Sequence, residues 1–183
     1  MEVMAEQNNK VKKTHRKFKL NPESLDTIIS RVEIVDIKLL DSYSRRIFED
    51  FDINELTIQE KREFETGEEE PLGTIFMGIC RFGIRGMQQN EGHDPVEAFK
   101  IEGSFLLTYV IEDREGISTD DVGAFIMVNG IHHAWPFWRE LVHNLSSRMG
   151  IEPPTIPVLP PKYKFKDLVM AEAGEAFPSQ AED

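Results

Sequence analysis

Cysteine is almost missing from this chain: 183 residues carry one, Cys80. A single thiol closes no intramolecular disulfide and builds no zinc knuckle. That usage fits a reducing compartment. Basic residues are also scarce, with 21 Lys and Arg against 33 Asp and Glu, for a net charge of -12. Nucleic-acid phosphates are bound by Lys and Arg, so nucleic acid is not an expected partner. An anionic membrane surface is excluded on the same ground. No stretch approaches the ~18 apolar residues of a membrane span. The opening Met1-Glu2-Val3-Met4-Ala5-Glu6-Gln7-Asn8-Asn9 lacks the apolar region of a signal peptide. A cytoplasmic chain is the expectation.

Catalytic spacing is missing as well. There is no G-x-x-x-x-G-K loop and no G-x-G-x-x-G ahead of a helix. The glycines Gly78, Gly83 and Gly86 sit at strand spacing instead. His132 and His133 adjoin, so on a helix they point ~100° apart and cannot share one metal. Cys80 has only Arg81 beside it, on the opposite strand face, and a nucleophilic thiolate needs an exposed, electropositive setting. The carboxylates form no spaced pair. No catalytic residue, metal or cofactor is expected, and the chain does not read as an enzyme.

What is present is strand text followed by helix text. Residues 1–27 are polar and then basic (Lys10, Lys12, Lys13, His15, Arg16, Lys17, Lys19) and read as a flexible arm. From Ile28 to Leu40 apolar residues alternate, with Val35, Ile37 and Leu39 on one face and Asp36 and Lys38 on the other. Leu56 to Thr66 fits a strand, but its Glu, Lys, Arg and Gln content fits a helix too. Thr74 to Met87 reads as an apolar strand with close backbone approach or bulges at Gly78 and Gly83. Gln88 to Pro95 reads as a polar loop. Ala98 to Glu112 is the clearest strand: Phe99, Ile101, Phe105, Leu107, Tyr109 and Ile111 share one face.

Ser118 or Thr119 can then cap a helix, with Asp120 and Asp121 in its first turn. Helical spacing continues through Val122, Phe125, Ile126 and Ile131. Pro136 predicts a kink or restart. Beyond it, Phe137, Leu141, Val142, Leu145 and Met149 recur at i+3 and i+4, and Gly150 is placed for a C-terminal cap. Glu152 to Lys164 holds Pro153, Pro154, Pro157, Pro160 and Pro161, half of the chain's 10 prolines, and must be extended. Phe165 to Ala173 fits a short helix. Residues 174–183 read as an acidic, disordered tail. The domain is expected over 28–173.

Trp135-Pro136-Phe137-Trp138-Arg139-Glu140 resembles the Phe-Pro-Tyr-Ala-Arg-Glu element that opens the long helix of the SecB protein-export chaperones. Ser147-Arg148-Met149-Gly150 is similar to the Ser-Arg-Gly that closes that helix, and Pro153 to Leu159 to the proline-rich segment after it. Upstream, Arg31 to Lys38 resembles the first SecB strand, and Ala98-Phe99-Lys100-Ile101-Glu102 the fourth. The resemblance covers roughly residues 28 to 170.

The resemblance implies an α+β fold: a four-stranded antiparallel sheet, one long kinked or interrupted helix, and a short C-terminal helix. It implies a cytosolic, ATP-independent holdase that keeps unfolded preproteins competent for translocation and delivers them to SecA. It also implies a homotetramer, a dimer of dimers built largely through the long helices, with Trp135, Phe137, Trp138, Arg139 and Glu140 as the helix and interface motif. By position, the acidic SecA-docking surface falls on Asp36 and Glu102. Two positions depart from the family pattern: Leu40 replaces a second acid, and Lys100 replaces an apolar residue. A SecB-like adaptor with one dedicated partner, such as a toxin–antitoxin-linked chaperone, is the alternative.

Overall fold

The computed structural model describes residues 22–66, 74–90 and 92–159. The short helix predicted over Phe165 to Ala173 and the acidic tail lie outside these residues. Helix α1 spans Pro22–Arg31 and runs directly into strand β1, Val32–Arg46. A crossover with one short turn of helix at Ile53–Glu55 leads to β2, Thr57–Thr66. Strands β3, Ile75–Asn90, and β4, His93–Ile111, follow. Helix α2, Thr119–Phe125, passes through a wide π-turn at Ile126–Gly130 into α3, Ile131–Arg148. All neighbours in the sheet are antiparallel, in the order β1-β4-β3-β2.

The alternation read in β4 places its apolar set against the helices. Ile101, Leu107, Tyr109 and Ile111 are fully buried. Facing them, Phe76, Cys80, Phe82 and Ile84 line the same side of β3. The helices bring down Phe125, Ile131, Trp135, Trp138 and Val142. Aromatic rings interlock at the centre. Phe82 stacks on Trp138 at 5.6 Å and meets Trp135 edge-on at 5.5 Å, while Tyr109 meets Phe125 edge-on at 5.2 Å. Each fully buried large apolar side chain contributes about 1.5–3 kcal/mol, so this layer dominates stability. The helices come close because the sheet is bare in places. A Cβ on Gly78 would lie 2.4 Å from Ile126 Cγ2, and one on Gly103 2.6 Å from Leu141 Cδ2.

Several boundaries move from the sequence reading. The described residues begin with helix α1 at Pro22, ahead of Ile28. Leu25 and Ile28 are buried, three residues apart on one face of α1, and a helix this short shows its apolar stripe only twice. The strand predicted from Ile28 begins instead at Val32, and it continues to Arg46. Leu56 to Thr66 resolves as strand, because ten consecutive residues pair with β3. The loop predicted over Gln88 to Pro95 is mostly strand, closed by Gly92 at φ 76°. Pro95 is tolerated because it has no partner in the β3 register there.

The helix interruption also moves. Pro136 lies inside a continuous α3, on its exposed side. The irregular stretch is the five-residue π-turn immediately ahead of α3, where Ile126, Met127 and Val128 are all buried. Packing of Trp135 and Trp138 holds the helix through the proline, at the cost of one intrahelical bond. The predicted ends hold. Ser118 caps α2 in a reciprocal box with Asp121. Gly150, at φ 67°, closes α3: its N–H bonds Ser147 O, and Ile151 N–H bonds Ser146 O.

Candidate functional site

Of the motif residues on α3, most are scaffold. Trp135, Trp138 and Val142 recur at three- and four-residue spacing, and all three are buried against the sheet. Trp135 Nε1 donates to Pro157 O at 2.8 Å, and Arg139 Nε donates to Ile156 O at 3.1 Å. These two bonds strap the proline-rich segment to α3, so its carbonyls are satisfied although it pairs with no strand. The Arg62 guanidinium covers the outer face of the Trp135 ring at 4.7 Å and is paired with Glu60 at 2.6 Å. Glu140 accepts from Asn144 at 3.0 Å. Phe137 alone of the three aromatic residues turns away and is 44% exposed.

Phe137 belongs to an apolar trough beside β1. On α3, His133, Phe137 and Leu141 form one stripe at four-residue spacing. His133 Nδ1 lies 3.0 Å from Tyr109 Oη, and Leu141 reaches Gly103. The stripe thus follows β4 from Tyr109 to Gly103, with Phe137 midway, on the side away from Trp135 and β2. The floor there is β1. By register, Ile34 stands opposite Tyr109, Ile37 opposite Leu107 and Leu39 opposite Phe105. Their β4 partners are buried, yet Ile34 is 42% exposed and Leu39 is 48% exposed. Register shifts at Ile34/Asp36 and Leu39/Asp41 insert Val35 and Leu40, both exposed. Among the described residues β1 pairs only with β4, so a 15-residue strand presents its outer edge unpaired. Apolar edge strands of this length invite a partner. The alternation of β1 predicted the shared face of Ile37 and Leu39, but it set Val35 with them, where the bulge puts Ile34 instead. The missing cover over them could not be read from it.

Asp36 and Glu102 both point to the outer side of the sheet. Asp36 sits opposite Thr108, and Glu102 opposite Tyr43. They are six positions apart on β4, about 20 Å along the strand, and do not form one patch. Each is held by a lysine two residues away: Lys38 Nζ is 2.8 Å from Asp36, and Lys100 Nζ is 3.1 Å from Glu102. The hydrogen bond from Lys38 holds the Asp36 carboxyl below the usual carboxylate range. Lys100 also reaches over the Tyr43 ring at 5.8 Å. At both positions the acid is closed in an ion pair.

The titratable groups of the interior are structural in setting. Cys80 is buried, and burial pushes its thiol up to about 12, far from a thiolate at neutral pH. Burial likewise raises the Tyr109 hydroxyl and lowers His133. The pair is a hydrogen bond between a neutral phenol and a neutral imidazole, its direction set by the imidazole tautomer. No cluster of three or more metal-ligating side chains occurs among the described residues. An open cleft of about 770 Å³ lies between the β1–β2 crossover and the end of α3. Its Arg46 donates to the carbonyls of Phe48, Glu49, Met149 and Gly150, which makes it a clamp between those segments. No helix among the described residues is long and apolar enough to cross a membrane.

No protein-family model matches the chain. No curated protein matches it either. Among solved structures, the Mycobacterium tuberculosis Rv1957 SecB-like chaperone, in complex with a ChAD peptide from the Rv1956 HigA1 antitoxin, superposes with a TM-score of 0.68. The match has 17% identity and covers 77% of this chain and 99% of that chain. A Streptococcus agalactiae protein of unknown function covers 69% of this chain and 96% of that chain, at 10% identity and a TM-score of 0.33, too low to bear on the fold. The fold is SecB-like: an open four-stranded antiparallel sheet layered with one long helix.

Proposed function

We propose that this protein is a cytoplasmic, ATP-independent holdase that binds extended apolar segments of non-native polypeptides. One observation carries the reading. The trough of Ile34, Ile37, Leu39, Phe137 and Leu141 lies beside an unpaired 15-residue strand edge. An extended segment can hydrogen-bond to such an edge while its alternate side chains enter the trough. Backbone pairing does not depend on sequence, which suits varied clients. The chain's net charge of -12 keeps such a surface soluble and favours basic clients. The same trough offers copies of this chain a contact, and a homotetramer through β1 and α3 is part of the proposal.

Native mass spectrometry with and without a denatured client tests both parts at once. We expect an oligomer that gains client mass and suppresses client aggregation without ATP. A monomer that leaves aggregation unchanged would sink the proposal.

The outer face favours a second reading. Delivery to SecA was expected to use Asp36 and Glu102, but lysines close both carboxylates and some 20 Å separates them. A holdase with one dedicated client needs no such surface. The similar M. tuberculosis protein is a chaperone seen with an antitoxin peptide. Titrating a panel of unrelated unfolded proteins separates the readings. Binding of comparable strength across the panel supports the general holdase, and binding to a single partner supports the dedicated one.

A further inference from the structure

At one level of the sheet, the outer face reverses the sign of the chain. Lys100 alternates with the buried Phe99 and Ile101 in β4, so it faces outward. The register sets Arg45 of β1 on one side of it and Arg85 of β3 on the other. Gln59 of β2 completes the row beside Arg85. Three cations thus lie on three adjacent strands with no acid between them. Neighbouring strands are about 4.8 Å apart, so Arg45 and Arg85 stand about 10 Å from each other. Like charges directly opposite one another destabilise a sheet. The chain also carries 33 acids against 21 Lys and Arg, so the row runs against its composition.

The surroundings leave the row positive. Arg45 is exposed and makes no ion pair among the described residues. Arg85 Nε donates to Gln59 Oε1 at 2.7 Å, a neutral group. Lys100 is shared between Glu102, at 3.1 Å, and the Tyr43 ring. The row on one side is Tyr43, Glu102, Gly83 and Lys61, with one acid and one cation. On the other side Glu97 stands opposite Met87. Across these three levels four cations meet two acids, on a chain whose net charge is -12.

Carboxylates match this row. A guanidinium takes a carboxylate through two parallel hydrogen bonds. In an extended chain, alternate residues project to one side about 6.8 Å apart. Three alternate acids therefore run about 14 Å, within reach of the long Arg and Lys stems. A long phosphate chain fits less well. The acidity of the whole molecule opposes a polyanion, and Lys100 lies over the Tyr43 ring, where a base would stack.

We infer that the row of Arg45, Lys100 and Arg85 is a docking site for an acidic, extended polypeptide segment of a partner protein, separate from the trough beside β1. A partner recruited here is acidic, whereas the surface expected at Asp36 and Glu102 would recruit a basic one.

A fluorescent peptide with three glutamates at alternate positions in a Gly-Ser background tests this. Its anisotropy is followed with the full-length protein at low salt. Binding is expected to saturate, to weaken with added salt, and to be about tenfold weaker or more for the same peptide with glutamines. The combined variant Arg45→Gln, Lys100→Gln and Arg85→Gln loses the binding with an unchanged circular dichroism spectrum. Arg45→Glu, one change at an exposed position, weakens binding by itself and carries the test if the triple variant unfolds. The trough variant Leu39→Thr with Phe137→Glu still binds. Four results would overturn the inference: no binding of the glutamate peptide, equal binding of the glutamine peptide, binding retained by the folded row variants, or binding lost in the trough variant. A uridine oligonucleotide that displaces the peptide at lower concentration than unlabelled peptide does would assign the row to phosphate and overturn it as well.

Discussion

At the scale of single residues, the Tyr109–His133 bond has a definite pH signature. Burial holds both His132 and His133 below the usual imidazole value, and for His133 the neighbouring His132 adds to it. The unfolded chain therefore takes up protons at a higher pH than the folded one. The stability this contributes is complete above about pH 6.5 and is lost as pH falls below it. The urea midpoint should fall between about pH 7.5 and pH 5.5, a window above the carboxylate range. His133→Gln keeps an acceptor for the tyrosine but cannot titrate, and it should flatten that decline; an unchanged slope would assign the effect elsewhere. A second expectation concerns two glycines that look alike in the sequence. Gly78→Ala drives a methyl into the buried Ile126 and should cost about 1–3 kcal/mol. Gly83→Ala meets the Glu102 side chain at 3.3 Å and the Lys61 Cβ at 3.6 Å on the outer face, and should stay within about 1 kcal/mol of neutral. Chemical denaturation of the two variants checks both. Sequence spacing marks both as places of close approach. The opposing atoms that separate them come from the π-turn and from β4, distant in the chain and silent in local text.

At the scale of elements, strands were legible where one face is buried and the other wet. The β4 alternation identified its core face residue by residue, and it set Asp36 and Glu102 on the outer side through their neighbours. Strand β2 stayed ambiguous because it is an edge strand with Glu60 and Arg62 on its inner face, so its pattern lacks contrast. The trough escaped notice for two reasons: the bulge at Val35 brings Ile34 onto the face of Ile37 and Leu39, which strict alternation does not, and no neighbour strand among the described residues covers them. The π-turn was invisible because Ile126, Met127 and Val128 are buried on every side, leaving no periodicity to break. Pro136 misled in the opposite direction, since a strong local signal was overridden by packing on either side of it. That override predicts a gain on its removal. Pro136→Ala restores a backbone N–H within α3 and removes the ring from the preceding turn, and it should raise stability by about 1–3 kcal/mol. A thermal melt of the variant checks this, and a lower melting temperature would show that the proline is required by the bend of the helix.

At the scale of the whole molecule, stability and the proposed binding surface rest on different faces of the same helix, and substitution separates them. Trp138 is buried against Phe82 of β3, so Trp138→Ala should cost about 3–5 kcal/mol. For a domain with the usual margin of about 5–15 kcal/mol, that threatens folding itself, and any loss of binding would follow from it. Phe137 and Leu39 are about half-exposed, and surface changes away from caps and core stay mostly within about 0.5 kcal/mol each. Leu39→Thr puts a β-branched residue, suited to a strand, in the edge strand, and Phe137→Glu puts a charge on a solvated helix position. The double variant should therefore fold with a nearly unchanged denaturation midpoint. What it lacks is the apolar trough and, through the carboxylate, a surface that tolerates a dry partner. Light scattering of a denatured client together with native mass of the variant gives the decisive pair of readings. Lost client protection with a retained fold places the holdase surface beside β1. A smaller oligomer in the same experiment places the subunit contact there as well. Full protection by a well-folded double variant would remove the trough from the mechanism and turn attention to the outer face of the sheet.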